Sequence, residues 1–522
     1  MCCQKQPAWL SQAVFYEIYP QSFLDTDSDG IGNFEGIIQK LDYIKSIGCN
    51  ALWLNPCFDS PFGDAGYDVR DYRRAAPRYG TNDDLKRLFD TAHEKGLHVL
   101  LDLVPGHTSV EHPWFIKSME AEQNEYTDRY IWTDSVWEAP TDLGCIRGMS
   151  RRNGCAAVNF FSSQPALNYG YEHPEKPWQQ GMDAPGPRAT LAEMMDIMRF
   201  WLGMGCDGFR VDMAGSLVKG DPGHTGILRL WQEVRAFLDR EFPDAAIISE
   251  WGEPDLSLQA GFHMDFLLHF GPSHYNDLFR SEHAYFSGDE QGDASLFIAR
   301  YNECMKKSGG KGLMCIPSGN HDMDRLARGI PDEAHRKLAF LFLLTVPGAP
   351  FIYYGDEIGM RYVENLTSVE GGYERTGSRS PMQWDRTPNS GFSRAPKETL
   401  YIAQDPDPDR PTVEKAEADT SSLLWEIRRL LAVRSACPAL GNLAGIRFLT
   451  EEKNTYPLAY LRYTDEERLL VLINPTGREQ CFSCGETLCS AVFTLFSGVS
   501  QQDGVIRVPA CSGGVYRLKH ER

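Results

Sequence analysis

The sequence predicts an α/β protein built on a closed barrel of eight parallel strands. A small domain is inserted after the third strand, and an all-β domain lies at the C-terminal end. Three observations carry this. Eight short apolar runs occur before about residue 360, with helical stretches between most of them. The runs are near-continuous rather than alternating, which marks parallel strands buried on both faces. No Gly-rich phosphate loop follows the first run, as an open dinucleotide-binding sheet would require. Eight such units close a (β/α)8 barrel.

The strand candidates are "AVFYEIYP" at 13–20, "ALWLNPC" at 51–57, "HVLLDLVP" at 98–105, "GFRVDM" at 208–213, "AIISEWG" at 246–252, "MDFLLHF" at 264–270, "LMCIPSGN" at 313–320 and "PFIYYGDEIGM" at 350–360. Stretches such as "DDLKRLFDTAHEKGL" and "RLWQEVRAFLDREF" supply helices between them. Residues 106–170 are too many for one crossover helix, have no clean period and read as the inserted domain. A second irregular stretch covers 361–418, and "SSLLWEIRRLLAVRSA" then reads as the helix that completes the barrel. From about 440 short strands and turns take over, among them "LAYLRYT", "RLLVLINPTG" and "GGVYRL". The division is therefore 1–105 and 171–440 for the barrel, 106–170 for the insert and 441–522 for a terminal β-sandwich.

The bulk numbers exclude several classes. A 42% hydrophobic and 11% aromatic content excludes disorder of the whole chain. A net charge of −20 argues against nucleic acid, which wants a basic face. No run of about 18 apolar residues is present, so no membrane helix is expected. "MCCQKQPAWLSQ" has no apolar signal core, so a cytoplasmic location is expected, with the 14 scattered cysteines as free thiols. Cys481 and Cys484 form a lone C-x-x-C with no second pair at a zinc spacing.

Barrel active sites lie at the C-terminal ends of the strands. Standing there are Tyr67 and Asp68 after strand two, Asp102 and His107 after strand three, Arg210 and Asp212 on strand four, Glu250 on strand five, and His321 and Asp322 after strand seven. Side chains alternate along a strand, so Arg210 and Asp212 point the same way, into the mouth. A fixed cation lowers the pKa of a neighbouring carboxylate, so Asp212 is expected to be ionised and able to act as a nucleophile. Glu250, beside Trp251 and among like charges, is the candidate acid/base. Two carboxylates in these roles are the machinery of retaining glycoside cleavage. Asp322 is a third, suited to gripping two sugar hydroxyls. Asp102 reads as structural, orienting the mouth. Phe160 serves equally well as a wall of the sugar pocket or as core of the insert.

At these residues the chain resembles the α-amylase family of retaining glycoside hydrolases, glycoside hydrolase family 13. The matching stretches are "DLVPGHTS" at 102–109, "GFRVDM" at 208–213, "SEWG" at 249–252 and "GNHDMDR" at 319–325, in family order and one per expected strand. The resemblance implies Asp212 as nucleophile, Glu250 as acid/base and Asp322 as transition-state stabiliser. It implies Tyr67, Asp68, His107, Arg210 and His321 as contacts to the sugar in the cleaved subsite. "QPALN" at 164–168 and "RSPMQWDRTPNSGFS" at 379–393 resemble signatures of the branch that holds oligo-1,6-glucosidases, α-glucosidases and trehalose synthases. Arg325 matches an arginine of that branch and is taken as substrate-binding.

Three positions depart from the family. Gly106 and Ala166 replace an Asn and an Asp that supply ligands to calcium in calcium-dependent amylases, so that site is expected to be absent. Met213, after the nucleophile, matches neither the Val of α-1,6-acting relatives nor the Ala or Thr of α-1,4-acting ones. A separate loop, "DTDSDGIGN" at 25–33, alternates aspartates as a hard cation wants. It lacks the Glu at position twelve of an EF-hand. The resemblance implies a structural Ca2+ on Asp25, Asp27, Asp29, the Ile31 carbonyl and Asn33. No organic cofactor is expected.

The expected activity is exo-acting α-glucosidase on short α-glucosides or maltooligosaccharides, through a covalent glucosyl-Asp212 intermediate. The alternatives are a transglucosidase or isomerase of trehalose synthase or sucrose isomerase type, and an endo-acting α-amylase. A non-catalytic transporter heavy chain does not fit, because all three carboxylates are retained and no membrane helix is present. The expected partner is a small oligosaccharide or disaccharide, with neither nucleic acid nor membrane, and the chain is expected to be a monomer or homodimer.

Overall fold

The computed structural model describes residues 6–140, 143–148, 150–268 and 272–519. Eight strands form the closed barrel: β1 Phe15–Ile18, β2 Ala51–Leu54, β3 His98–Leu103, β4 Gly208–Val211, β5 Ala246–Ser249, β6 Met264–Phe266, β7 Leu313–Pro317 and β8 Ala349–Tyr353. Each pairs in parallel with its neighbour in sequence, and β8 closes on β1 with Phe15 opposite Phe351. All are shorter than their apolar runs, because the chain bends into a loop at each mouth. Residues 269 and 270 of the sixth run lie outside the described residues.

Strand alternation sorts the core into two shells. Phe15, Ala51, Trp53, Leu100, Ala246, Ile248, Met264, Phe266, Cys315 and Phe351 fill the barrel's interior. Tyr16, Leu52, Leu101, Leu103, Phe209 and Val211 point outward to the helices. On β3 the inward position after Leu100 is Asp102, and on β4 the inward position after Gly208 is Arg210. Polar side chains thus replace apolar ones in the top layer only. Gly208 has φ +145°, and a Cβ there would lie 1.9 Å from the Ala246 carbonyl oxygen, so β4 approaches β5 only as glycine.

The helices packed around the barrel include α1 Phe34–Ile47, α2 Asn82–Glu94, α3 Pro185–Met204, α4 Thr225–Glu241, α5 Pro254–Ala260, α6 Ser295–Ser308, α7 Glu333–Leu343 and α8 Leu423–Ala436. Local sequence sets their ends. Asn33 caps α1 by accepting from the Gly36 N–H, and Thr81 with Asp84 forms a capping box on α2. Between β3 and α3 the chain builds a separate lobe around a two-stranded sheet, Gly144–Ile146 with Ala156–Val158. Its small core holds Ile131, Ala157, Ala166 and Tyr171.

After α8 the chain forms a five-stranded antiparallel sheet and a three-stranded one, with Leu461, Leu470, Leu472, Phe482, Ile506 and Val508 between them. Two buried arginines fix this end to the barrel. Arg434 donates to the Leu344 and Gly348 carbonyls, and Arg462 to those of Thr345 and Gly441. Every described cysteine is a free thiol.

Candidate active site

A cavity of about 490 Å3 opens at the C-terminal end of the barrel. Asp212, Met213, Glu250 and Asp322 line it with Asp64, Tyr67 and His107, and Phe160, Phe161, Tyr373 and Arg375 form its upper wall. Phe160 is 59% exposed, which places it on the mouth rather than in the core of the insert.

Arg210 organises the floor. It is 2% exposed. Its Nη1 lies 2.8 Å from Asp102 Oδ1 and 3.0 Å from Asp212 Oδ1, and its Nη2 lies 2.6 Å from Glu250 Oε1. One cation therefore spans three carboxylates from three adjacent strand ends. Glu250 is held at its other oxygen by the Met213 N–H, 3.1 Å from Oε2. Met213 itself sits at φ +44°, a left-handed conformation costly for a residue with a side chain.

The expectation that Arg210 keeps the Asp212 pKa low needs correction. Burial and the charge of Glu250 together push Asp212 well above the usual carboxylate range, and Arg210 opposes them without winning. Asp102 is likewise raised to about 6 by burial, against Arg210. Asp322 goes the other way. Burial pushes it up, but His321, Arg379 and Arg375 outweigh that and hold it far below the ordinary range. Its Oδ1 accepts from Arg375 Nη1 at 2.7 Å and Arg379 Nη2 at 2.8 Å.

His321 and His107 are both buried. His321 Nδ1 lies 3.0 Å from Glu17 Oε1, and Nε2 lies 2.7 Å from the Tyr67 hydroxyl and 3.3 Å from Asp322 Oδ2. His107 Nε2 lies 3.0 Å from the Tyr67 carbonyl, and burial lowers its pKa to about 4, so it is neutral.

Four expected substrate contacts are not among the residues that line the cavity: Arg210 and His321 lie behind Asp212 and Asp322, and Asp68 and Arg325 are engaged elsewhere. Asp68 is consumed by its own turn: its oxygens accept from Ser60 Oγ and from the Gly63 and Asp64 N–H groups. Asp64, four residues earlier, lines the cavity instead, and its Oδ2 accepts from Gln164 at 2.7 Å. Arg325 is fully buried away from the mouth. It donates to the Tyr354 carbonyl and Asp356 and lies over the rings of Tyr353 and Tyr354. Arg375 and Arg379 supply the guanidiniums at Asp322.

These missed residues left a signal. Asp64 stands in "GDAGYDV" beside the recognised Tyr67, and Arg375 and Arg379 stand close together in "ERTGSRSPMQW". Tyr373–Arg379 is a 3-10 helix that turns both toward Asp322.

The loop at 25–33 brings carboxylate oxygens of Asp25, Asp27 and Asp29 within 4.8 Å of one another. Burial, then its neighbours Asp25 and Asp29, raise Asp27, while Asp25 is lowered by Ser393 and the backbone N–H groups of Gly30 and Ser28 despite its burial. Such a set suits a hard cation. The Ile31 N–H donates to Asp29 Oδ1. The Asn33 amide donates to Asp27, but its oxygen is occupied as the cap of α1. At the other expected difference, a Cβ on Gly106 would lie 2.5 Å from Asn159 Nδ2, and Ala166 is bridged to His107 through the backbone.

Comparison with known proteins agrees with this geometry. Residues 17–442 match the alpha-amylase catalytic domain. The chain is 31% identical to the trehalose synthase/amylase TreS of Mycobacterium tuberculosis, over 90% of this chain and 82% of that one. It is 30% identical to the oligo-1,6-glucosidase of Parageobacillus thermoglucosidasius, over 91% and 92%. Among solved structures, the trehalulose synthase MutB from Pseudomonas mesoacidophila superposes with a TM-score of 0.82 at 25% identity, covering 98% of this chain and 99% of that one.

Proposed function

The chain belongs to the α-amylase family of glycosidases acting on O-glycosyl bonds, and from that premise we propose that it is a retaining, exo-acting α-glucosidase on short α-glucosides. The observation that carries the reading is Arg210 in contact with both Asp212 and Glu250 on one cavity wall. That arrangement suits the separation of about 5–5.5 Å at which one carboxylate attacks the sugar carbon directly. Phe160, Phe161 and Tyr373 line the cavity, with the last two rings 6.1 Å apart, and such an aromatic wall suits a chain end rather than the middle of a polymer.

The steps follow from the roles. Ionised Asp212 attacks the anomeric carbon as the bond to the leaving oxygen breaks, and Glu250 gives that oxygen a proton. Glu250 then takes a proton from water, whose oxygen attacks the same carbon and releases Asp212. Asp322, kept ionised by Arg375 and Arg379, holds two hydroxyls of the distorted ring. Neutral His107, with Tyr67 and Asp64, completes the sugar contacts.

A second reading has its own support. If a sugar hydroxyl captures the glucosyl intermediate in place of water, the same residues make a transglucosidase or isomerase. The similarity to a trehalose synthase/amylase and a trehalulose synthase favours it, as does the apolar upper wall. In either case Asp25, Asp27 and Asp29 would hold a structural Ca2+ away from the chemistry. Product analysis decides between the readings: incubation with maltose, isomaltose, sucrose, trehalose, maltoheptaose and starch, beside an Asp212→Asn control. Glucose from disaccharides with starch untouched supports the first. New disaccharides support the second, and maltooligosaccharides from starch overturn exo action.

A further inference from the structure

Beneath the cavity a row of four side chains crosses the barrel: Glu17, His321, Tyr67 and Asp102. Three contacts join them. Glu17 Oε1 lies 3.0 Å from His321 Nδ1, His321 Nε2 lies 2.7 Å from the Tyr67 hydroxyl, and that hydroxyl lies 3.0 Å from Asp102 Oδ2. Each contact joins two atoms that can only accept unless a hydrogen stands between them. Three hydrogens are needed. A neutral imidazole brings one and a phenol brings one.

We infer that the row carries one further proton, held at the Glu17 end, and that Glu17 is a positioning residue that makes His321 Nε2 a hydrogen donor toward Tyr67 and Asp322. The far end is the wrong place for that proton. Asp102 is paired with Arg210 at 2.8 Å and also accepts from Trp53 Nε1 at 3.2 Å, so protonating it would waste a direct cation contact.

Glu17 is fully buried, and no Arg or Lys pairs with it among the described residues. Asn55 Nδ2 faces both atoms of the first contact, 3.2 Å from Glu17 Oε1 and 3.0 Å from His321 Nδ1, but puts no hydrogen between them, while Glu17 Oε2 and Asn55 Oδ1 are both buried without a partner. A bare ionised oxygen there is costly, and a proton removes the charge. The other charged groups around His321 are Asp322, at 3.3 Å, and the guanidiniums of Arg379, Arg375 and Arg210; burial and these three guanidiniums disfavour a positive charge on the ring. The Tyr19 ring stacks on it, 6.2 Å away. The proton count stands on geometry alone, whereas the role given to Nε2 rests on the glucosidase reading.

The test compares the full-length protein with Glu17→Gln and Glu17→Leu. A glutamine amide can donate to Nδ1 without an extra proton, and leucine cannot donate. In 15N-histidine-labelled protein, with His321 assigned by difference against His321→Asn, the wild-type ring is expected to carry its hydrogen on Nε2, with Nδ1 the bare accepting nitrogen, between pH 6 and 8. Glu17→Gln is expected to keep that tautomer, because its amide can also donate to Nδ1. With p-nitrophenyl α-glucoside, the alkaline limb of kcat/KM is expected to rise by about one pH unit or more in Glu17→Gln, since an amide has no proton to lose there. Glu17→Leu is expected to lose at least about tenfold in kcat/KM. A hydrogen found on Nδ1 in the wild type across that range overturns the inference, as does an alkaline limb identical in wild type and Glu17→Gln. The nitrogen spectrum needs no turnover, so a failure of the glucosidase reading leaves it interpretable.

Discussion

Arg210 Nη1 lies 3.0 Å from Asp212 Oδ1, and the two residues leave the same strand end two positions apart. The same guanidinium also pairs with Asp102 and Glu250, so three buried carboxylates depend on one cation. Arg210→Ala is expected to cost about 3–5 kcal/mol of stability, the range for leaving buried charges unpaired. Chemical denaturation checks it. A loss under about 1 kcal/mol would mean that the carboxylates do not rely on Arg210.

Replacing the two carboxylates tests the reaction itself. Glu250→Gln is expected to lower kcat/KM on unactivated disaccharides by at least about 10²-fold, the smaller end of the range for a lost proton donor. Asp212→Asn is expected to remove turnover. Following the anomer formed by NMR shows retention in the wild type; inversion would remove Asp212 as nucleophile.

The acid limb of activity should report Asp212. Burial and Glu250 raise its pKa in the folded protein, so ionised Asp212 is lost at a higher pH than an ordinary aspartate. Removing the Glu250 charge removes one of the two causes. In Glu250→Gln, with α-glucosyl fluoride, whose leaving group needs no acid, the acid limb is expected to move to lower pH. An unmoved limb, or one displaced upward, would show that Glu250 does not set it.

Asp64 and Asp68 should part company. Asp64→Ala is expected to raise KM about tenfold with little change in melting temperature, because it removes a cavity-lining acceptor. Asp68→Ala leaves three donors of the 60–64 turn unsatisfied and is expected to cost about 1–3 kcal/mol. Steady-state kinetics beside thermal melts separate them; the reverse pattern would restore Asp68 as the sugar contact.

The 25–33 loop predicts a metal-dependent melting temperature. Addition of CaCl2 to EDTA-treated protein is expected to raise it, and Asp27→Asn to abolish the rise. No response to calcium in the wild type would leave the loop as an acidic turn.

Much of this was legible in the residues. The apolar runs located all eight strands, since burial on both faces leaves no other composition for them. Asp212, Glu250 and Asp322 stand at strand ends, where direction follows from the strand. Loop residues were harder. Asp64 and Asp68 share one short turn, and only the turn's own hydrogen bonds decide which carboxylate is free. Arg325 and Arg379 each follow a recognisable motif, but Arg325 turns back under Tyr354 while Arg379 is carried to Asp322 by a 3-10 helix. The raised pKa of Asp212 was hidden because the count of charges around it depends on Glu250 and Arg210 meeting in space.

Arg434 and Arg462 grip the turn at 344–348 that leads directly into β8, the strand that seals the barrel against β1. A ribosome that has made 440 residues has made every barrel strand but not Arg462. The last joint of the barrel is therefore held partly by the sheet that follows it, so a chain ending before that sheet has every barrel strand but lacks one of the two arginines that grip the 344–348 turn.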